Sequence, residues 1–355
     1  MKIGLRLYSK RSKAMCDEWQ FLNAYARLTA KLGVVLTEQP FKKVFIFLDT
    51  DKHASSFDIL TTVDIFPNAE ILKYEDVTAE DAEKIVYDAM FPRGPEGAKH
   101  TKIFINGHDF KRVNEILERA RKCMFAPFEP AIIVDPRGSY TTASAAVAKT
   151  LEVSLVKGLG GLEGKTVTVL AGTGPVGQTA SRLYAYEKAN VIVTSREQMK
   201  ASSVATKINE EVEGERVRGV EAQAPDEVGK SIQNSEIVLA AGAAGTMLLP
   251  LEVLKMRGKN CKIVADINAI PPLGIEGLES NADGKEVFPS VFGIGALTIG
   301  KLKNNIEAEL IRRAAEEPKG IFDYKIAYEI AKRSITEKPV DKKNAESEPQ
   351  KYWLP

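Results

Sequence analysis

Cysteine and histidine are scarce in this 355-residue chain, with three of each. Cys16, Cys123 and Cys261 lie far apart and form no CxxC pair, and His53, His100 and His108 complete no metal-ligand spacing. Neither a zinc site nor a disulfide framework is expected; three reduced, mostly buried thiols are. An excess of either charge is missing too: 49 basic residues against 48 acidic leave a formal +1. Such a balance gives nucleic acid and anionic membranes no electrostatic footprint to bind. No apolar run approaches the length of a bilayer span. The basic start MKIGLRLYSKRSK is followed by no apolar core of a signal peptide, so the expected location is cytoplasmic.

What is present reads as a soluble globular protein, 44% hydrophobic and 27% charged, with length enough for two domains. Residues 14 to 32 carry Trp19, Leu22, Tyr25, Ala26, Leu28 and Leu32 at helical spacing. Then KKVFIFLDTD turns abruptly into a buried strand, Val44 to Leu48, with Asp49 and Asp51 at its end. A helix over 79–90, a strand TKIFING ending at Asn106, a helix over 113–123 and a strand AIIVD closing at Asp135 follow. The segment from Ser139 opens another helix, with Ser139 or Thr141 as its cap. This β-α-β-α-β rhythm predicts an α/β unit over residues 1–150. From Lys165 the rhythm restarts, with strands in TVTVLAG, NVIVTSR, SEIVLAAG and CKIVADIN, predicting a parallel-sheet domain over 151–299. Helices near 301–315 and 324–333 are expected to complete the first unit, and 336–355, charged and poor in apolar groups, reads as a mobile tail.

The strand Val167 to Ala171 runs directly into Gly172, Thr173, Gly174, Pro175, Val176 and Gly177, and a helix opens at once. A GxGxxG turn between strand and helix is the phosphate-binding turn of a Rossmann dinucleotide fold. Its glycines permit a tight turn, close approach of backbone amides to the pyrophosphate, and close helix–strand packing. The next strand ends Val193-Thr194-Ser195-Arg196, with no acid at the tip to bind ribose hydroxyls as NAD enzymes do. Ser195, Arg196 and, one turn on, Lys200 instead suit a 2′-phosphate, so NADP is the expected cofactor; Glu197 is discordant. Ala241 and Gly242 end a later strand, and their small size suits either a cofactor crossing the sheet edge or ordinary packing.

These motifs, with VADINAIPPLGIEG at 264–277, FGIGALTIGKLK at 292–303, LDTD at 48–51, MFAPFEP, and DPRGSYTTASAAVA at 135–148, make the chain resemble the NADP-dependent methylene-tetrahydromethanopterin dehydrogenases, some of which also act on tetrahydrofolate. The resemblance covers residues 44–333 and leaves 1–43 unplaced. It implies a homo-oligomeric enzyme with a reduced pterin as substrate and NADP as hydride acceptor. It also implies that the loop carrying Asp266 and Asn268 faces the nicotinamide, with Asn268 as candidate partner of the carboxamide.

Hydride loss from a methylene group bridging two nitrogens yields a methenyl cation and releases no proton from carbon. No acid or base is therefore assigned, and none of the Ser-His-Asp type is present; orientation and electrostatic support do the work. Candidate substrate residues sit where strands end: Asp49, Asp51, Asn106 and Asp135, with Thr141 and Thr142 beyond. A carboxylate there either accepts the paired N–H groups of a pterin or caps the next helix. Lys285 and Lys301 are candidates for acidic groups on the substrate's side chain, or plain surface lysines. Two other functions stay open: an NADP dehydrogenase of a small cyclic alcohol, and an NADP-binding redox sensor without turnover.

Overall fold

The computed structural model describes residues 41–336, so the helix expected over 14–32, Cys16 and the tail lie outside the described residues. The first sheet is built from β1 (Val44–Asp49), helix α1 (Ser56–Ile65), β2 (Glu70–Tyr74), α2 (Ala79–Met90), α3 (Gly94–Ala98), β3 (Thr101–Asn106), α4 (Phe110–Cys123) and β4 (Ala131–Val134). Its order is β12-β4-β3-β1-β2, all parallel, β12 (Gly320–Phe322) arriving from the C-terminal region. Phe45–Leu48, Ile103–Ile105 and Ile132–Val134 are buried, as a parallel strand covered on both faces demands. Register pairs Asp49 with Asn106 and Ile105 with Val134. Asp49, Asn106 and Asp135 therefore share one carboxyl-terminal edge.

Sequence periodicity misses β2 and α1. β2, EILKY, is an exposed edge strand with no buried residue, and α1 turns Phe57, Leu60 and Val63 toward solvent rather than the core. The helix α5 (Ser139–Val156) starts differently from expectation. Its cap is Gly138 at φ 68°, preceded by Arg137 at φ 47°; two left-handed residues swing the chain sharply out of β4. Fourteen of its eighteen residues are buried, so α5 is an interior helix.

The second sheet takes β5 (Thr166–Leu170), α6 (Pro175–Tyr186), β6 (Asn190–Ser195), α7 (Gln198–Val212), β7 (Val217–Glu221), α8 (Pro225–Ile232), β8 (Ile237–Ala240), α9 (Leu251–Arg257), β9 (Ile263–Asp266), β10 (Asp283–Phe288) and β11 (Val291–Ile294). The order is β10-β11-β9-β8-β5-β6-β7, parallel except for the β10–β11 hairpin. Strand order reverses between β5 and β8, which is where open α/β sheets bind ligands. The glycine turn leaves β5 at that point. The last segment, α10 (Ala296–Glu316), β12 (Gly320–Phe322) and α11 (Tyr324–Thr336), returns to the first sheet, β12 pairing with β4. One hydrophobic cluster runs from Phe45 in the first sheet through Ala145 of α5 to Val169 in the second. Among the described residues no helix is long and apolar enough to cross a membrane, and no group of acids, histidines and cysteines could hold a metal ion. Cys123 and Cys261 are buried and free, burial pushing the Cys261 thiol up to about 12.

Candidate active site

The nucleotide half is set by backbone. Ala171 takes the left-handed conformation at φ 51°, and the Gly172 N–H donates to Thr194 O at 2.9 Å, so the chain leaves β5 pinned to β6. A Cβ on Gly177 would lie 2.6 Å from Gly172 Cα: here glycine lets α6 close onto the turn. A Cβ on Gly174 would meet nothing nearer than Ala171 O at 3.8 Å. Nothing in the chain demands glycine there, whereas a ligand approaching the backbone would. Gly174 caps α6 without any side-chain hydrogen bond, and Pro175 takes the first helical position. Thr173, Gly174, Pro175 and Val176 are all partly open to solvent. First-turn amides and the positive end of the helix dipole thus face outward, the arrangement that receives a pyrophosphate.

At the β6 tip, Ser195 is buried and its Oγ accepts the Glu197 N–H at 3.3 Å. Arg196 is exposed and makes no hydrogen bond or ion pair among the described residues. Lys200 pairs with Glu197 at 2.7 Å, which accounts for the discordant acid and leaves Arg196 as the unopposed cation of the tip. Gly242 packs on Leu248, whose Cδ1 would be 2.8 Å from a Cβ, so the small residues ending β8 are explained by packing; neighbouring Ala241 is buried.

Asp266 and Asn268, expected at the nicotinamide, have their side chains engaged within the protein. The Asp266 carboxylate accepts the N–H groups of Asn268 and Ile275 at 2.9 and 3.1 Å. Asn268 donates to Pro272 O at 3.1 Å and accepts from Ile270 N–H at 2.9 Å. Both are buried and fix the loop around Pro271 and Pro272, so the amide expected to hold the carboxamide is already engaged.

The first sheet's edge gives the same lesson for the expected pterin carboxylates. Asp49 is buried and accepts from the amides of Asp51 and Ser55; burial raises its pKa. Asp51 is partly buried, which works against its charge, but the His108 amide, the Arg137 guanidinium and the His108 ring hold its pKa below the ordinary range. Asn106 donates to Asp58 and accepts from the amides of Gly107 and Arg137. Asp135, fully buried, accepts from the Tyr140 and Thr141 amides and from Thr141 Oγ1 at 2.6 Å. It anchors the start of α5, the capping role that sequence left open. Thr141 is engaged with it, while the hydroxyl of half-buried Thr142 has no hydrogen bond among the described residues. Lys285 pairs with Glu279 at the surface and Lys301 is exposed.

Behind this edge lies a group that sequence reading missed. Lys303 of α10 stands 4.0 Å over the Phe57 ring of α1 and pairs with Glu307 one turn on. A Cβ on Gly138 would come within 3.3 Å of its Nζ. Burial pushes Asp135 up to about 6, with Lys303 the main opposing influence. Burial pushes Glu307 up to about 8, again opposed by Lys303 and reinforced by Asp58 and Asp135. Asp58 Oδ1, Glu307 Oε1 and Ser139 Oγ are buried with no hydrogen-bond partner among the described residues. Orphaned buried acceptors carry a desolvation cost that a ligand or water relieves. The signal was present in α10: its buried stripe Ile299, Ile306, Leu310 is interrupted by Lys303 and Glu307, polar residues on an apolar face. A surface cavity of about 480 Å³ lined by Tyr186, Lys188 and Arg216 lies by the amino-terminal end of β6, away from all these groups.

Comparison with known proteins points to one family. Residues 56–137 match the family model described as methylene-tetrahydromethanopterin dehydrogenase, N-terminal. The bifunctional protein MdtA of Methylorubrum extorquens is 34% identical over 294 residues, 82% of this chain and 98% of that protein. The NAD(P)-dependent methylenetetrahydromethanopterin dehydrogenase of the same organism is 29% identical, over 79% of this chain and 94% of that protein. Quinate dehydrogenase from Corynebacterium glutamicum in complex with NAD is 12% identical over 81% of this chain and 98% of its own, at a TM-score of 0.45, too distant to bear on function.

Proposed function

The chain belongs to the methylene-tetrahydromethanopterin dehydrogenase family, and on that premise we propose that it catalyses reversible hydride transfer from the methylene carbon of a reduced one-carbon pterin, methylene-tetrahydromethanopterin or methylene-tetrahydrofolate, to NADP. The observation that carries this reading is a glycine turn at the switch point of one sheet combined with buried carboxylates around a lysine at the edge of the other. In this reading residues 151–299 hold the dinucleotide, residues 1–150 with the helices of 300–335 hold the pterin, and the protein is a cytoplasmic homo-oligomer. Light scattering tests the assembly.

NADP, when bound, supplies the hydride acceptor. The amides of Val176 and Gly177 at the start of α6 would hold its pyrophosphate. Arg196 and Ser195 would hold the 2′-phosphate, and the Pro271–Pro272 loop, stiffened by Asp266 and Asn268, would wall the nicotinamide side. On the substrate side the carboxylates Asp58 and Asp135 set a negative environment that favours a cation developing on the one-carbon bridge. Lys303 donates to an acceptor on the substrate, and Phe57 and Thr142 border it. No residue needs to remove a proton from carbon.

The test is nicotinamide and methenyl absorbance in mixtures of the protein with each methylene-pterin and NADP or NAD. NADPH formation with a methylene-pterin is the expected outcome. NADP binding without transfer from either carrier overturns the reading in favour of a sensor. One observation favours a cyclic-alcohol dehydrogenase: Lys303 faces Asp135. Shikimate and quinate therefore belong in the same assay.

Cofactor choice gives a separate prediction. Arg196→Ala weakens NADP binding by about 10–100-fold, the worth of a charge-assisted hydrogen bond, and changes NAD affinity by less than about threefold. Parallel titrations of the two cofactors check it; equal losses for both would remove Arg196 from the 2′-phosphate.

A further inference from the structure

We propose that Glu307 is a positioning residue for this reaction, fixing both the place of Lys303 and how much of its charge reaches the substrate. Lys303 and Glu307 are four residues apart on α10 and so lie on one helix face. That face is buried: Lys303 is mostly covered and Glu307 fully so. The lysine is held from three sides, by the Glu307 carboxyl, by the Phe57 ring at 4.0 Å, and by the backbone of Gly138. The charged groups facing Glu307 are Lys303 from its own helix, Asp58 from α1, and Asp135 from the end of β4. Three acids share one ammonium.

That imbalance makes Glu307 the acid that keeps its proton. Its second oxygen, Oε1, has no partner among the described residues, and burial pushes its pKa up to about 8. With the proton on, the carboxyl still accepts a hydrogen bond from Lys303 but does not cancel its charge. With the proton off, it forms a full ion pair and draws the ammonium toward itself. Activity therefore declines as pH rises through about 8. Stability follows the same sign: a carboxyl raised in the fold favours the folded state below pH 4.5, the ordinary glutamate value, and that advantage is lost up to about 8.

The inference rests on the proposed function, specifically on Lys303 meeting the substrate, and three variants separate the two. Glu307→Gln keeps shape and acceptor but cannot ionise. Its kcat stays within about threefold of wild type at pH 7, the alkaline limb near pH 8 disappears, and its melting temperature gains on wild type as pH rises from 4.5 to about 8, the gain levelling off above that. Glu307→Ala removes the hold; kcat falls about tenfold with KM for NADP unchanged, and the Gln variant restores it. A wild-type profile flat from pH 7 to 9, or an alkaline limb retained in the Gln variant, overturns the proposal. A merely structural role would lower melting temperature without moving the pH profile, and that result overturns it too. Lys303→Met isolates the premise: full activity there ends the Lys303 reading itself, whereas an inactive Lys303→Met beside a Gln variant with an unmoved profile ends only the Glu307 inference.

Discussion

Valine at position 174 removes NADP binding and leaves the fold standing, whereas a single methyl at position 177 costs stability. The backbone at Gly174 is φ −74°, ψ 167°, extended geometry that any residue adopts, and no protein atom lies nearer than 3.8 Å to an added Cβ. A branched side chain fits the chain there but projects into the space where the first-turn amides of α6 face a pyrophosphate. The loss expected is at least about 100-fold in affinity, equal to about 3 kcal/mol, with melting temperature changed by less than about 2 °C. At Gly177 the added atom would sit 2.6 Å from Gly172 Cα and 2.8 Å from Gly172 C. These are backbone atoms, which cannot rotate away, so Gly177→Ala behaves as an overpacked core and costs about 1–3 kcal/mol. Calorimetric titration with NADP and thermal melts separate the two. If Gly174→Val binds NADP as wild type does, the pyrophosphate is not held by this turn.

The contrast between these glycines also explains what was legible in the sequence. The glycine turn could be read because its requirements are local: a strand, three glycines and a helix within a dozen residues. The β6 tip was legible only in part: the absence of an acid at Ser195 and Arg196 could be read, but not that Glu197 would take Lys200, expected at the 2′-phosphate, as its partner. The edge carboxylates were located correctly at strand ends, but their work was not readable. Whether Asp49 or Asp135 meets a ligand or an amide depends on the path of the following turn, and the left-handed pair Arg137 and Gly138 delivers Tyr140 and Thr141 to Asp135. Asn268 likewise looked available because nothing in a linear reading shows the Pro271–Pro272 loop folding back on it. Lys303 was missed because its neighbours Phe57, Gly138 and Asp135 lie more than 160 residues away in the chain. Only the break in the apolar stripe of α10 announced it, and Lys301, two residues earlier, drew the reading to the exposed face.

Lys303→Met is the second large effect: kcat falls by about 100-fold or more, the usual consequence of losing one preorganised donor or charge, while NADP affinity stays within about twofold. The separation follows from geometry. Lys303 contacts α1 and the start of α5, on the edge of the first sheet, whereas every group assigned to the pyrophosphate and the 2′-phosphate belongs to the second sheet or its turns. Methionine keeps the length and the apolar contact with Phe57, so the cavity stays filled; what is lost is the cation facing Asp58, Asp135 and Glu307. Removing one partner from a buried pair destabilises by several kcal/mol when the other charge is trapped. Here Asp135 and Glu307, already raised to about 6 and about 8, relieve the strain by taking protons. The folded protein therefore survives, more readily at low pH than at high pH. In the variant the proton taken by Asp135 neutralises part of the field that favours a methenyl cation, so the fall in kcat deepens rather than recovers on acidification. Stopped-flow hydride transfer at saturating NADP, run from pH 6 to 8.5 beside melts at the same pH values, measures both effects. A variant that folds, binds NADP and transfers hydride at the wild-type rate would remove the Lys303 cluster from the chemistry and leave it a packing device of α10.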